Sequence, residues 1–133
     1  MIQLLLVFLG GGLGAALRHG VNMLALRAGT TFPYGTLCIN VVGSLLMGVV
    51  VAWFAARSGL SPSLRLFLMT GVLGGFTTFS AFSLEAALLY ERGQPGLAVI
   101  YVLASVVLSI GGLFAGMALV RAASRHLPDT GGC

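Results

Sequence analysis

The sequence predicts an all-α integral membrane protein with four transmembrane helices. Of its 133 residues, 58% are hydrophobic and only 8% are charged, and the mean hydropathy is +1.05. Soluble domains carry about 25% charged residues, so this chain has too few polar side chains to cover the surface of a soluble fold. Lipid removes that requirement, because a transmembrane helix satisfies its backbone hydrogen bonds internally.

Four apolar stretches are long enough to cross a bilayer as helices, which takes roughly 20 residues each. They cover residues 2–26, 35–56, 64–89 and 96–120. The connections "RAGTTFPYG", "RSGLSPS" and "ERGQP" combine Gly, Pro or Ser with arginine, which is typical of turns. Such short connections predict an up-down-up-down bundle with both chain ends on one side. We assign residues 1–121 to the membrane domain and 122–133 to a polar C-terminal tail.

The first span, which opens with "MIQLLLVFLGGG", resembles two motifs that it does not complete. A signal peptide would need a basic leader and a clear cleavage site, so we interpret the segment as a retained helix. Gly10, Gly12 and Ala15 have the spacing of a dinucleotide-binding fingerprint, but no carboxylate precedes Glu85. That fingerprint requires an acidic residue about 20 positions later, so the glycines are predicted to serve helix packing.

Every span contains two small residues four positions apart, an arrangement that lets helix backbones approach closely in lipid. The pairs are Gly10 and Gly14, Ser44 and Gly48, Gly71 and Gly75, and Gly112 and Gly116. They predict tight packing without indicating a particular partner.

The charged residues are distributed almost evenly between the two ends of the predicted bundle. All seven cations are arginine: Arg57, Arg65, Arg121 and Arg125 lie on the side of the chain ends, and Arg18, Arg27 and Arg92 on the other. An excess of arginine on one side of the membrane normally sets the orientation, so this weak bias permits insertion in both orientations and hence an antiparallel homodimer. The alternative is that folding or a partner sets the orientation. Nucleic-acid binding would need a clustered basic face, so we exclude it.

The titratable residues do not form a catalytic or metal-binding pattern. His19, His126, Glu85, Glu91 and Asp129 are scattered, and no serine or cysteine has a base in its own span. The sequence therefore predicts a protein that is not an enzyme. Cys38 and Cys133 fit neither a metal spacing nor a disulfide framework, and we interpret Cys38 as a packing residue.

The third span contains the segment "GVLGGFTTFSAF", residues 71–82. Gly74 and Gly75 weaken a helix, and the threonines after them can bond to released backbone groups. A break here would expose carbonyl oxygens that suit a hard cation, as in the unwound helices of transporters. The alternative is a continuous helix in which the glycines form a packing notch.

Neutral polar groups in the spans suggest a path for a small anion. Tyr101, Ser105 and Ser109 are spaced to form one stripe along a helix, and Phe79 and Phe82 share a face. Phenylalanine ring edges carry partial positive charge, so together with Asn40 they offer an uncharged lining from which an anion can leave. The alternative is that the hydroxyls bond to their own helices and the rings are packing residues.

These motifs together resemble the Fluc fluoride channels, also called the CrcB family. Four segments carry the resemblance across residues 10–109: "GGGLGAALR", "GTLCINVVGSLLMG", "TGVLGGFTTFSAFSLE" and "YVLASVVLS". The second and third are the specific ones. Ala81 departs from the threonine common in the family, and His19 departs from an aromatic residue.

The resemblance implies a multi-pass protein of the bacterial inner membrane that exports fluoride passively. It implies an antiparallel dual-topology homodimer surrounded by lipid, with two pores in which Asn40 binds the anion and Phe79 and Phe82 present ring edges. The carbonyls of Gly74 and Thr77 from both subunits would hold one structural sodium ion, Na+. Arg18 would face a vestibule. The polar track beside the pore would comprise Tyr101, Ser105 and Ser109, and further candidates for the anion pathway are Thr78, Ser80, Ser83 and Glu85.

Three alternatives are left open by the sequence. A small proton-coupled cation exporter would need a carboxylate in the membrane, and Glu85 is the single candidate. A structural subunit would need no pathway at all. A heteromeric pair of two related chains would replace the homodimer.

Overall fold

The computed structural model describes residues 1–126, and their regular structure is entirely helical. The first, second and fourth spans are the continuous helices α1 (Ile2–Leu26), α2 (Tyr34–Ala56) and α6 (Pro95–His126). The third span, Pro62–Glu91, comprises α3 (Pro62–Leu66), a π-helical segment (Phe67–Leu73), α4 (Gly74–Phe76) and α5 (Phe79–Glu91). All four spans are long and apolar enough to cross a membrane, which confirms the predicted four-helix class.

The predicted C-terminal tail is only partly described. Helix α6 continues to His126, so residues 122–126 are helical. Residues 127–133, which include Cys133, lie outside the described residues.

The bundle consists of two closely packed pairs, α1 against the third span and α2 against α6. A Cβ atom added to Gly10 would lie 2.9 Å from the Cα of Gly71, and one on Gly14 would overlap the carbonyl oxygen of Val72. On the other side, a Cβ on Gly48 would overlap the carbonyl oxygen of Leu113. The closely spaced glycines therefore join helices within one subunit.

The glycine contacts make a direct prediction for stability. Gly14→Ala is expected to lower the free energy of unfolding by about 1–3 kcal/mol, because the new methyl group overlaps the backbone of the third span. The matched control is Gly12→Ala, where a Cβ meets nothing within 4 Å. Thermal unfolding of both variants in detergent measures the difference. Equal melting temperatures would contradict the packing described for α1.

Candidate functional site

A groove of about 560 Å³ lies where α2, α5 and α6 meet. We call it the Asn40 groove. The predicted site residues that line it are Asn40, Gly74, Thr77, Thr78, Phe79, Phe82, Ser105 and Ser109. The structure thus brings together residues from the second, third and fourth spans that are up to 69 positions apart in sequence, counting from Asn40 to Ser109.

The backbone is extended at two residues between α4 and α5. Thr77 has φ −76° and ψ 156°, and Thr78 has φ −153° and ψ 121°. The side chain of Asn40 pairs with this extended backbone: Thr78 N donates to Asn40 Oδ1 at 2.9 Å, and Asn40 Nδ2 donates to the Thr78 carbonyl oxygen at 3.0 Å. Because a carboxamide has two N–H donors, the second Nδ2 hydrogen is left for the groove.

The same extended backbone releases the carbonyl oxygens of Gly74 and Thr77. In a continuous α-helix these oxygens would accept from the amides of Thr78 and Ala81. Here Thr78 N donates to Asn40, and Ala81 N donates to the Thr78 hydroxyl at 3.2 Å, which caps the start of α5. Two carbonyl oxygens close together in sequence are therefore available to a ligand.

The two phenylalanines are in contact but differ in exposure. The ring centroids of Phe79 and Phe82 are 5.4 Å apart, with 49° between the ring planes. Phe82 is 8% exposed and packs on Tyr101, whereas Phe79 is 79% exposed. Phe82 is thus fixed inside the subunit, and Phe79 forms part of its outer surface.

Two serines on α6 present buried hydroxyls to the groove. Ser105 is 5% exposed, and the hydroxyl oxygens of Ser105 and Ser109 have no hydrogen-bond partner among the described residues. Ser83 and Ser124 behave differently, since each donates to a carbonyl of its own helix at 2.9 Å. A buried polar group without a partner costs about 1–3 kcal/mol, so a ligand or water that accepts from these two hydroxyls would be stabilised in the groove.

Tyr101, the first member of the predicted stripe, does not line the groove and belongs to a buried polar cluster. Its hydroxyl donates to Glu85 Oε2 at 2.7 Å, and the Thr36 hydroxyl donates to Glu85 Oε1 at 2.8 Å. Thr36 is not among the site residues predicted from the sequence. Its position four residues before Asn40, on the same face of α2, is the signal that could have found it. Glu85 also borders a second cavity of about 430 Å³, which Asn22 and Arg92 line.

The remaining predicted residues lie outside the groove. The Ser80 and Thr78 hydroxyls are 3.3 Å apart, and Ser83 is exposed on α5. Arg18 is half-buried on α1 and lines neither of the two cavities described above.

The buried cluster makes a stability prediction that is separate from transport. Tyr101→Phe removes one hydrogen-bond donor to Glu85 and keeps the ring that packs against Phe82. We therefore expect the free energy of unfolding to fall by about 1–3 kcal/mol. Tyr90→Phe is the control, because Tyr90 lies 68% exposed on α5. Thermal unfolding should show a lower melting temperature for Tyr101→Phe and a native melting temperature for Tyr90→Phe. Equal melting temperatures for the two variants would contradict a structural role of the cluster.

Comparison with known proteins identifies the family of this chain. The sequence pattern of the family described as CrcB-like protein, Camphor Resistance (CrcB), matches residues 5–117. The chain belongs to the CrcB family. Among its relatives, the fluoride-specific ion channel FluC of Rhodopseudomonas palustris strain BisB5 is 66% identical, over 89% of this chain and 96% of that protein.

Two further CrcB-family relatives cover similar shares of the sequence. The fluoride-specific ion channel FluC 2 of Nitrobacter hamburgensis is 63% identical over 88% of this chain and 95% of its own length. The fluoride-specific ion channel FluC of Methylobacterium nodulans is 57% identical over 91% of this chain and 98% of its own length. The similarity therefore extends over nearly the whole of each protein.

Proposed function

We propose that this CrcB-family chain is a fluoride-selective ion channel, a multi-pass protein of the bacterial inner membrane that exports fluoride passively. The observation that carries the proposal is the pair of buried, unpartnered hydroxyls of Ser105 and Ser109 beside the Asn40 amide. Relatives named fluoride-specific ion channels match nearly the whole chain. The family is one of channels, so the chain is not an enzyme.

The chemistry of the groove suits fluoride. Fluoride is a small, strong hydrogen-bond acceptor, and the groove offers neutral O–H and N–H donors and ring edges with no cation among its lining residues. Such donors can replace part of the hydration shell without holding the ion so tightly that it cannot leave. Because fluoride enters acidified cells as neutral HF and is trapped inside as the anion, a passive path lowers its cytoplasmic concentration.

The proposed channel is an antiparallel dual-topology homodimer with two pores. Three observations support a second copy: the Asn40 groove is not enclosed, Phe79 is 79% exposed, and the arginine bias is weak. In this arrangement Phe79 of one subunit completes the pore of the other, and lipid covers the remaining apolar surface. The extended residues Thr77 and Thr78 then interrupt the third span at the middle of the membrane.

A structural sodium ion is proposed where the two third spans cross. The released carbonyls of Gly74 and Thr77 fit such an ion, because hard cations prefer oxygen ligands and two subunits would supply four carbonyls. The ion would balance carbonyl dipoles that no amide offsets. Purified dimer that is washed free of unbound salt should contain one sodium per dimer by elemental analysis, and none would contradict the site.

The test of transport is fluoride efflux from liposomes. Vesicles that contain the protein and are loaded with potassium fluoride should release it within seconds once valinomycin carries the balancing charge, as read by a fluoride electrode. Release no faster than from protein-free vesicles would contradict the proposal.

Glu85 separates this channel from the proton-coupled cation exporter. Both carboxylate oxygens accept hydrogen bonds, from Thr36 and Tyr101, and the groove lining does not include Glu85. Glu85→Gln keeps the shape of the side chain and can still form hydrogen bonds with both hydroxyls. We therefore expect the rate of fluoride efflux to stay within about threefold of the native rate, a smaller change than the loss of one hydrogen bond would cause. Complete loss in a folded variant, together with proton-linked cation uptake by the native protein, would favour the exporter.

A further inference from the structure

The turn between α2 and α3 forms a small basic pocket, which the proposed channel function does not use. Its cavity is about 280 Å³ and is lined by Arg57 and Arg65 together with Phe54 and Leu60. Both arginines are exposed, and no acidic side chain contributes to the lining. Gly59, with φ +96°, provides the tight turn that brings the two arginines to one cavity.

The sole tryptophan of the chain lies beside this pocket. The guanidinium carbon of Arg57 is 5.7 Å from the centroid of the Trp53 ring, a distance that permits a cation–π interaction. Trp53 lies within one turn of the end of α2. Tryptophan is enriched at the level of lipid headgroups, so we expect the pocket at the depth of the lipid phosphates.

The last turns of α6 add positive charge at the same end of the bundle. The second and fourth spans run in the same direction, and their packing places Gly48 opposite Leu113. Because both helices rise by about 1.5 Å per residue, Arg57 lies at a level between Arg121 and Arg125. Four of the seven arginines are therefore at this end.

We propose that Arg57 and Arg65 bind the phosphate of an anionic phospholipid headgroup. A guanidinium offers paired N–H donors that match phosphate oxygens, and its weak hydration favours binding at a membrane surface. The apolar side chains of Phe54 and Leu60 line the same cavity and suit the glycerol and upper acyl carbons better than a free anion. A lipid that bridges Arg57, which directly follows α2, and Arg65 on α3 would hold the start of the third span against the second.

Trp53 provides the readout, because bromine atoms on acyl chains quench tryptophan fluorescence at short range. The full-length protein is placed in vesicles of phosphatidylcholine and phosphatidylglycerol, with one or the other lipid brominated, and the ratio of quenching gives the lipid preference at Trp53. We expect the native protein to prefer phosphatidylglycerol by about fivefold, and Arg65→Gln to reduce this to near unity. Arg65 is the better variant, since Arg57 lies over the reporting ring itself.

The control is Arg27→Gln at the opposite end of the bundle, which should keep the native preference. No preference in the native protein, or the same loss in Arg27→Gln, would overturn the proposal. If Arg65→Gln does not fold, salt provides the test. The preference of the native protein for phosphatidylglycerol should fall as the salt concentration is raised from about 0.05 to 0.5 M, and a preference that does not change with salt would contradict the site. Displacement of the brominated lipid by inorganic phosphate, but not by chloride at equal ionic strength, would assign the site to a soluble anion instead.

Discussion

Asn40→Leu is expected to lower the rate of fluoride efflux from proteoliposomes by about tenfold to a hundredfold. A factor of this size corresponds to the free energy of one hydrogen bond to a charged group. The leucine removes the N–H donor that faces the Asn40 groove. It also leaves the amide and carbonyl of Thr78 without the partners that they have at 2.9 and 3.0 Å. The initial rate of efflux, measured with a fluoride electrode, gives the size of the loss.

A second substitution at Asn40, together with a control on the same helix, tests whether the side chain binds the anion or only holds the backbone of Thr78. Asn40→Asp keeps an acceptor for Thr78 N, but it loses both the donor to the Thr78 carbonyl oxygen and the donor to the groove. It should therefore fold better than the leucine variant and still conduct poorly. Cys38→Ala is the control on the same helix, because Cys38 is exposed and lines none of the groove. Native efflux from a folded Asn40→Asp protein would show that the amide holds the backbone of Thr78 and does not bind the anion.

The double variant Ser105→Ala, Ser109→Ala is expected to lower transport without lowering stability. The two hydroxyls have no partner among the described residues, so their removal loses no protein hydrogen bond and should leave the melting temperature unchanged or higher. Efflux should fall by about tenfold or more, because two donors to the anion are lost.

Ser124→Ala is the matched control for the serine pair. Ser124 lies on the same helix, and its hydroxyl donates to the Val120 carbonyl at 2.9 Å. This substitution should leave fluoride efflux at the native rate. A double serine variant that is destabilised but conducts normally would mean that the hydroxyls of Ser105 and Ser109 stabilise the helices and do not bind the anion.

The membrane helices could be predicted from hydropathy and length because those properties are local. The first helix begins and ends where the sequence predicts, and α6 continues beyond the predicted end at residue 120. The π-helical segment Phe67–Leu73 was not predicted. Its backbone contacts α1 through Gly10 and Gly71, and a contact between residues 61 positions apart leaves no local pattern in one sequence.

The sequence predicts which types of polar side chain the site contains, but it does not predict their hydrogen-bond partners. Hydroxyl residues in a membrane helix look alike in sequence, yet Ser83 bonds to its own helix while the Ser105 hydroxyl is buried without a partner. That difference depends on which neighbouring helix covers the side chain. In the same way, the sequence selects Asn40 as an anion donor, but its pairing with Thr78 appears only when α2 and the third span are packed together.

The most direct test of a fluoride-selective path is the ratio of fluoride to chloride efflux from the same proteoliposomes, loaded with both salts and read by two electrodes. Fluoride should leave within seconds, whereas chloride efflux should not exceed the leak of protein-free vesicles. The reason is that a path of neutral donors and ring edges between close-packed helices favours the smaller and stronger acceptor. Equal rates for the two anions would contradict it.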